Sequence, residues 1–142
     1  MEPLDLRLAP PRPPRAELAG LVFLPRSIDK LRATLPGGYI GEYSIEGFTT
    51  RMLDKLGIGV AQITSAVAAA ATDDEVATFV TQHAVAGGRE AWNTYALGRE
   101  IFDGDRAAAE AEIPWLAARP DIRLSLDLLA EDDRRTFTAG VS

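Results

Sequence analysis

Leu24-Pro-Arg-Ser-Ile-Asp-Lys-Leu-Arg-Ala-Thr-Leu35 decides the fold. Leu24, Ile28, Leu31 and Leu35 recur at helical spacing and make one apolar stripe. Pro25 suits a first helical turn, where a missing amide hydrogen is no loss. Arg26, Asp29, Lys30 and Arg32 lie off the stripe, and Pro36-Gly37-Gly38 stops the helix. The same period then repeats down the chain while strand alternation is almost absent.

Ile45, Phe48, Met52, Leu53 and Leu56 predict a second helix closed by Gly57, and Val60, Ile63, Val67 and Ala70 a third. Thr72-Asp-Asp-Glu75 is a capping box: the threonine oxygen takes an orphan amide and the glutamate reaches back. It opens a fourth helix with Val76, Phe79 and Val80 inward, which Gly87-Gly88 should end. A fifth helix is expected from about Arg89 to Phe102. Asp103-Gly-Asp105 reads as a turn and a fresh cap for a sixth, which Pro114 must kink or restart. Leu124, Leu126, Leu128 and Leu129 begin a last short helix, with Glu131 to Arg135 as a solvated face. The expectation is an all-α protein, a single compact domain of about six or seven helices.

Residues 1–17 read as an extended proline-rich N-terminal arm packed on the domain, 18–137 as the helical domain, and 138–142 as a frayed tail. Pro10, Pro11, Pro13 and Pro14 close the arm to helix and central strand, and Leu4, Leu6 and Leu8 are its expected anchors. Pro10, Pro13 and Arg15 also satisfy a P-x-x-P-x-R spacing, a pattern too short to carry a function.

Length and composition agree with one soluble globular domain: 142 residues, 46% hydrophobic and 25% charged. No cysteine and one histidine exclude a disulfide scaffold, a thiolate metal site and a zinc site of several imidazoles, so no metal and no cofactor is expected. The formal charge of −6 argues against nucleic acid, whose phosphates an acidic surface repels. Residues 1–35 nevertheless carry six basic and four acidic side chains. No apolar run is long enough for a membrane span, and no secretory signal is legible, so a cytoplasmic location is expected.

Several short motifs occur in one order: Pro11-Arg-Pro-Pro-Arg15, Leu18-Ala-Gly20, Ile28-Asp-Lys-Leu-Arg-Ala33 and Gly41-Glu-Tyr43. Asp73-Asp-Glu-Val76, Ala91-Trp92 and Leu126-Asp-Leu-Leu-Ala-Glu-Asp-Asp133 continue it. In this the chain resembles the bacterial domain-of-unknown-function family 5069, from about residue 4 to residue 137. The resemblance implies a small, mostly helical, cytoplasmic bacterial protein and no particular activity. Where relatives carry a histidine after Gly-Glu-Tyr and then Cys-Pro-Leu-Asp, this chain has Ser44 and Gly47-Phe-Thr-Thr50.

The most site-like residues are Arg26, Asp29, Lys30 and Arg32 with Tyr39, Glu42 and Tyr43, and Asn93 is a candidate to line a groove. Arg26 and Lys30 share a helix face, as do Asp29 and Arg32. Arginine forks a carboxylate or phosphate, lysine adds a point charge and tyrosine a hydroxyl, so the set suits a small anionic ligand or a partner protein. The alternative to this binding or interaction module is a metal-free acid–base enzyme, with Lys30 or Glu42 as base and Tyr39 or Tyr43 as acid. A homodimer is a further arrangement open to it. His83 reads as a partly buried residue bonded to backbone, and Trp92 and Trp115 as core anchors with their indole N–H bonded. Asp103 and Asp105 lack the rest of a calcium loop and serve as caps.

Overall fold

A computed structural model describes residues 1–138. Among them the chain forms seven α-helices: α1 (Leu24–Ala33), α2 (Phe48–Leu56), α3 (Val60–Ala69), α4 (Asp73–His83), α5 (Gly88–Gly98), α6 (Arg106–Glu112) and α7 (Ser125–Thr138). The largely helical expectation holds, with one addition. Glu17–Leu18 (β1) and Leu21–Val22 (β2) pair antiparallel, Glu17 opposite Val22 and Leu18 opposite Leu21. Ala19 and Gly20 join them with φ of 54° and 71°. Two positive φ values in a two-residue loop match the right-handed twist of the strands, and Gly20 makes that cheap. The apolar run into Leu24 had hidden this hairpin.

The chain divides into two compact units, Met1–Asn93 and Thr94 onward. In the first, Phe23 precedes α1 with φ 74° and is fully buried. A bulky residue in this region is strained by about 1–3 kcal/mol and persists only where packing holds it. Here Phe23, Phe48 and Trp92 form a mutual edge-to-face set, with ring centroids 5.4, 6.2 and 5.7 Å apart. Trp92 Nε1 donates to the Val22 carbonyl at 2.8 Å, as expected of a core indole. Every residue of α1 except Arg32 is buried, including Arg26, Asp29 and Lys30, which lie off its apolar stripe.

The Thr72 cap forms: its hydroxyl accepts the Glu75 amide at 3.3 Å, and Glu75 Oε2 takes the Ala71 amide at 2.9 Å. α4 ends at His83 rather than at Gly87-Gly88. Ala84 turns extended and the Val85 amide donates to Leu56 O at 3.0 Å, which draws the chain out of the helix. Leu6 is buried as an anchor, whereas Leu8 is 80% exposed.

In the second unit Ile101, Ala109, Leu116 and Ile122 make a core against which Ile113, Trp115 and Leu128 pack. α5 stops at Gly98 and does not reach Phe102. An antiparallel bridge between Glu100 and Leu124 pulls the segment extended, with Ile101 N on Arg123 O at 3.0 Å and Ser125 N on Arg99 O at 2.9 Å. A 3₁₀ turn over Ile101–Gly104 follows, with Phe102, Asp103 and Gly104 all at positive φ. Asp105 caps α6, accepting the Ala108 amide at 3.1 Å, and Pro114 restarts the chain as a 3₁₀ turn over Pro114–Ala118. The last helix is 14 residues, not short, and Asp133 on its expected solvated face is buried. Of the expected frayed tail, Thr138 closes α7 and 139–142 lie outside the described residues.

Candidate functional site

All eight candidate residues fall in the first unit. Three α1 residues are drawn inward: Arg26 is 1% exposed, Asp29 5% and Lys30 7%. The Arg26 guanidinium donates from Nη1 to Arg12 O at 3.3 Å and sits 5.7 Å from the Phe23 ring and 5.5 Å from the Tyr43 ring. Lys30 Nζ lies 5.3 Å from the Phe23 ring. Two cations, two rings and the left-handed Phe23 thus share one place, where cation–π attraction offsets part of the desolvation. Of Tyr39, Glu42 and Tyr43, the three candidates that follow α1, Tyr43 is the one that lies beside Arg26.

The other members are occupied elsewhere. Asp29 accepts the Arg12 amide at 2.8 Å and its guanidinium at 3.1 Å. Arg12 also reaches Asp73 at the start of α4, at 2.5 and 3.1 Å. The Arg12 hydrogen bond, outweighing burial, holds the Asp73 carboxyl below the usual carboxylate range. Arg32 Nε donates to Glu2 O at 2.7 Å. Tyr39 is 51% exposed: its backbone pairs with Leu4 and Leu6, and Arg7 stacks 3.9 Å above its ring. Glu42 is exposed. Asn93 accepts the Val22 amide at 3.1 Å and donates to Gly20 O at 2.7 Å, so it clamps the hairpin. His83 is exposed rather than partly buried, though Nδ1 is bonded to Phe79 O at 2.8 Å and the ring stacks on Phe79.

A hollow of about 280 Å³ in the second unit escaped the sequence reading. Glu100, Gly104, Arg106, Glu110 and Arg123 line it. Arg106 donates to Glu110 Oε1 at 3.1 Å, to Leu116 O at 2.7 Å, to Arg119 O at 2.8 Å and to Ile122 O. Arg123 and Glu100 stand 4.0 Å apart. The sequence signal was there: Asp103-Gly-Asp105 announced a tight turn, but nothing local says that it faces Glu100 and Arg123.

These features define a largely helical protein of two compact units. A family model described as Domain of unknown function (DUF5069) matches residues 8–135, and the chain belongs to that family. No curated protein matches it.

Proposed function

We propose that this chain is a non-catalytic interaction module that recognises a partner protein through the edge carrying Arg7, Leu8, Tyr39 and Glu42. One observation carries the reading: Tyr39 is half exposed beneath the Arg7 guanidinium, and Leu8, the residue after Arg7 in the chain, is the most exposed large apolar side chain described. Tyrosine and arginine are the residue types over-represented where interface energy concentrates. A side-chain carbon at Gly41 would lie 3.6 Å from Arg7 Cγ, so the chain passing to Glu42 runs along this same edge. A small anion at Arg26 and Lys30 is less well supported, because both cations are buried. The acid–base alternative, with Lys30 or Glu42 as base, is less well supported, because Lys30 is buried and Glu42 stands exposed.

The occupant that fits is a second copy. Arg7, already paired with Asp5 at 2.7 Å, and the exposed Glu42 carry both signs of charge, and a two-fold axis can set each against its opposite in the partner copy. Sedimentation equilibrium of the full chain from roughly 1 μM to 1 mM should show reversible dimers. Leu8→Glu, at a position already in water, should return them to monomers. A monomer throughout that range, or a dimer indifferent to Leu8→Glu and Tyr39→Ala, overturns the reading.

A further inference from the structure

We propose that the hollow of the second unit binds a small zwitterion, an ammonium and a carboxylate carried on one carbon as in an α-amino acid. This stands apart from the Leu8–Tyr39 edge. Three observations carry it.

The first is a built cradle. Three successive residues at positive φ, 102–104, turn the chain back so that Gly104 faces Glu100. A Cβ on Gly104 would lie 2.7 Å from Glu100 Oε2, so a side chain there would push that flexible carboxylate out of its present place. The missing side chain is what leaves that carboxylate room beside the hollow. Left-handed Phe102 and Asp103 are unfavourable locally, and such conformations gather at ligand sites. The Arg99–Asp103 ion pair and the Asp105 N to Phe102 O bond of 2.9 Å hold them there.

The second is the division of charge. Arg106 is committed to Glu110 and three carbonyls, so it is part of the wall and Glu110 is its counter-ion. The remaining pair is Glu100 and Arg123, one anionic and one cationic, with side chains 50% and 73% exposed and only loosely joined at 4.0 Å. A ligand bearing both signs can replace that loose contact with two charge-assisted hydrogen bonds, ammonium to Glu100 and carboxylate to Arg123. A simple anion or cation would meet one pole only and leave the other to water.

The third is size. At about 280 Å³ the hollow lies just under the lower end of small-molecule sites, roughly 300 Å³, which suits a ligand of few heavy atoms.

The test is amide NMR titration of the full chain with L-alanine, ethylammonium and propionate. L-alanine at roughly millimolar concentration should shift the amides of residues 100–106 and 123 saturably. Ethylammonium and propionate should each bind at least about tenfold more weakly, and so should L-alanine to Glu100→Gln and to Arg123→Gln. Both side chains are half or more exposed, so neither change reaches the core, and far-UV circular dichroism checks that the fold is retained. No saturable shift, equal binding of a one-charge probe, or indifference to either substitution overturns the proposal.

Discussion

Asp29, buried on α1, accepts both the backbone amide and the guanidinium of Arg12, and the same guanidinium reaches across to Asp73 at the head of α4. One residue from the proline-rich stretch therefore joins two helices. Arg12→Ala leaves the buried Asp29 carboxylate to the residue-12 amide and to Arg32, 4.0 Å away. Breaking a buried pair costs about 3–5 kcal/mol. Arg12 itself is over a third exposed, so a loss of about 1–3 kcal/mol is expected. Chemical denaturation of Arg12→Ala, Asp73→Asn and the double variant measures it. Because Arg12→Ala already removes the Asp73 contact, the double variant should lose little beyond Arg12→Ala alone, and additive losses would show that Arg12 and Asp73 are not coupled.

The acid side of the stability profile follows from the depressed carboxyls. The Arg134 hydrogen bond, opposed by burial and helped by the charges of Arg134, Arg119 and Arg135, lowers Glu131 to about 2. Asp73 is lowered by Arg12. A group with a depressed folded value binds more protons when unfolded, so its contribution is full above the unfolded value and lost as pH falls. The urea midpoint should fall as pH drops from about 4.5 to about 2, and Glu131→Gln should flatten that fall. An unchanged slope in Glu131→Gln would remove the Arg119, Arg134 and Arg135 cluster from the explanation.

Helix periods and caps were legible because they are local. The Thr72 box, the Gly57 stop and the Asp105 cap all form where their residues stand. What went unread depends on distant partners. Arg26 and Lys30 are off the apolar stripe of α1, yet they are buried: Tyr43 and Arg12 come to Arg26 from other segments, and the ring of Phe23, at the head of α1, lies beside both cations. Leu8 belongs by type to a core, yet it is in solvent while Leu6, two residues back, is buried. The same holds for α5, which ends early because Leu124, far along the chain, pairs with Glu100.

Asn93, a candidate to line a groove, ties the hairpin through its bonds to Val22 and Gly20. Asn93→Ala leaves the buried Val22 amide unsatisfied, at a cost of about 1–3 kcal/mol. Hydrogen exchange at Val22 should rise with the loss. The Leu8–Tyr39 surface should be untouched, so self-association measured alongside should not change. Loss of association without loss of stability would mark Asn93 as part of the contact surface instead.

Arg106 tests what closes the second unit. Its guanidinium reaches the carbonyls of Leu116, Arg119 and Ile122 and the Glu110 carboxylate from one planar group. A lysine at this position keeps the charge but offers three donors from a single point, so it cannot span acceptors spread along the 3₁₀ turn and the loop after it. Hydrogen bonds to charged groups contribute about 1.5–3 kcal/mol each, and a flexible ammonium should recover some but not all of them. Arg106→Lys should therefore lower stability by about 2–3 kcal/mol, with amide exchange rising around residues 116–122 first. Arg106→Met should be lower still, since Glu110 loses its counter-ion as well. A lysine variant as stable as the parent would show that the carbonyls are held by the Ile101–Ile122 core alone and that Arg106 merely occupies the space beside it.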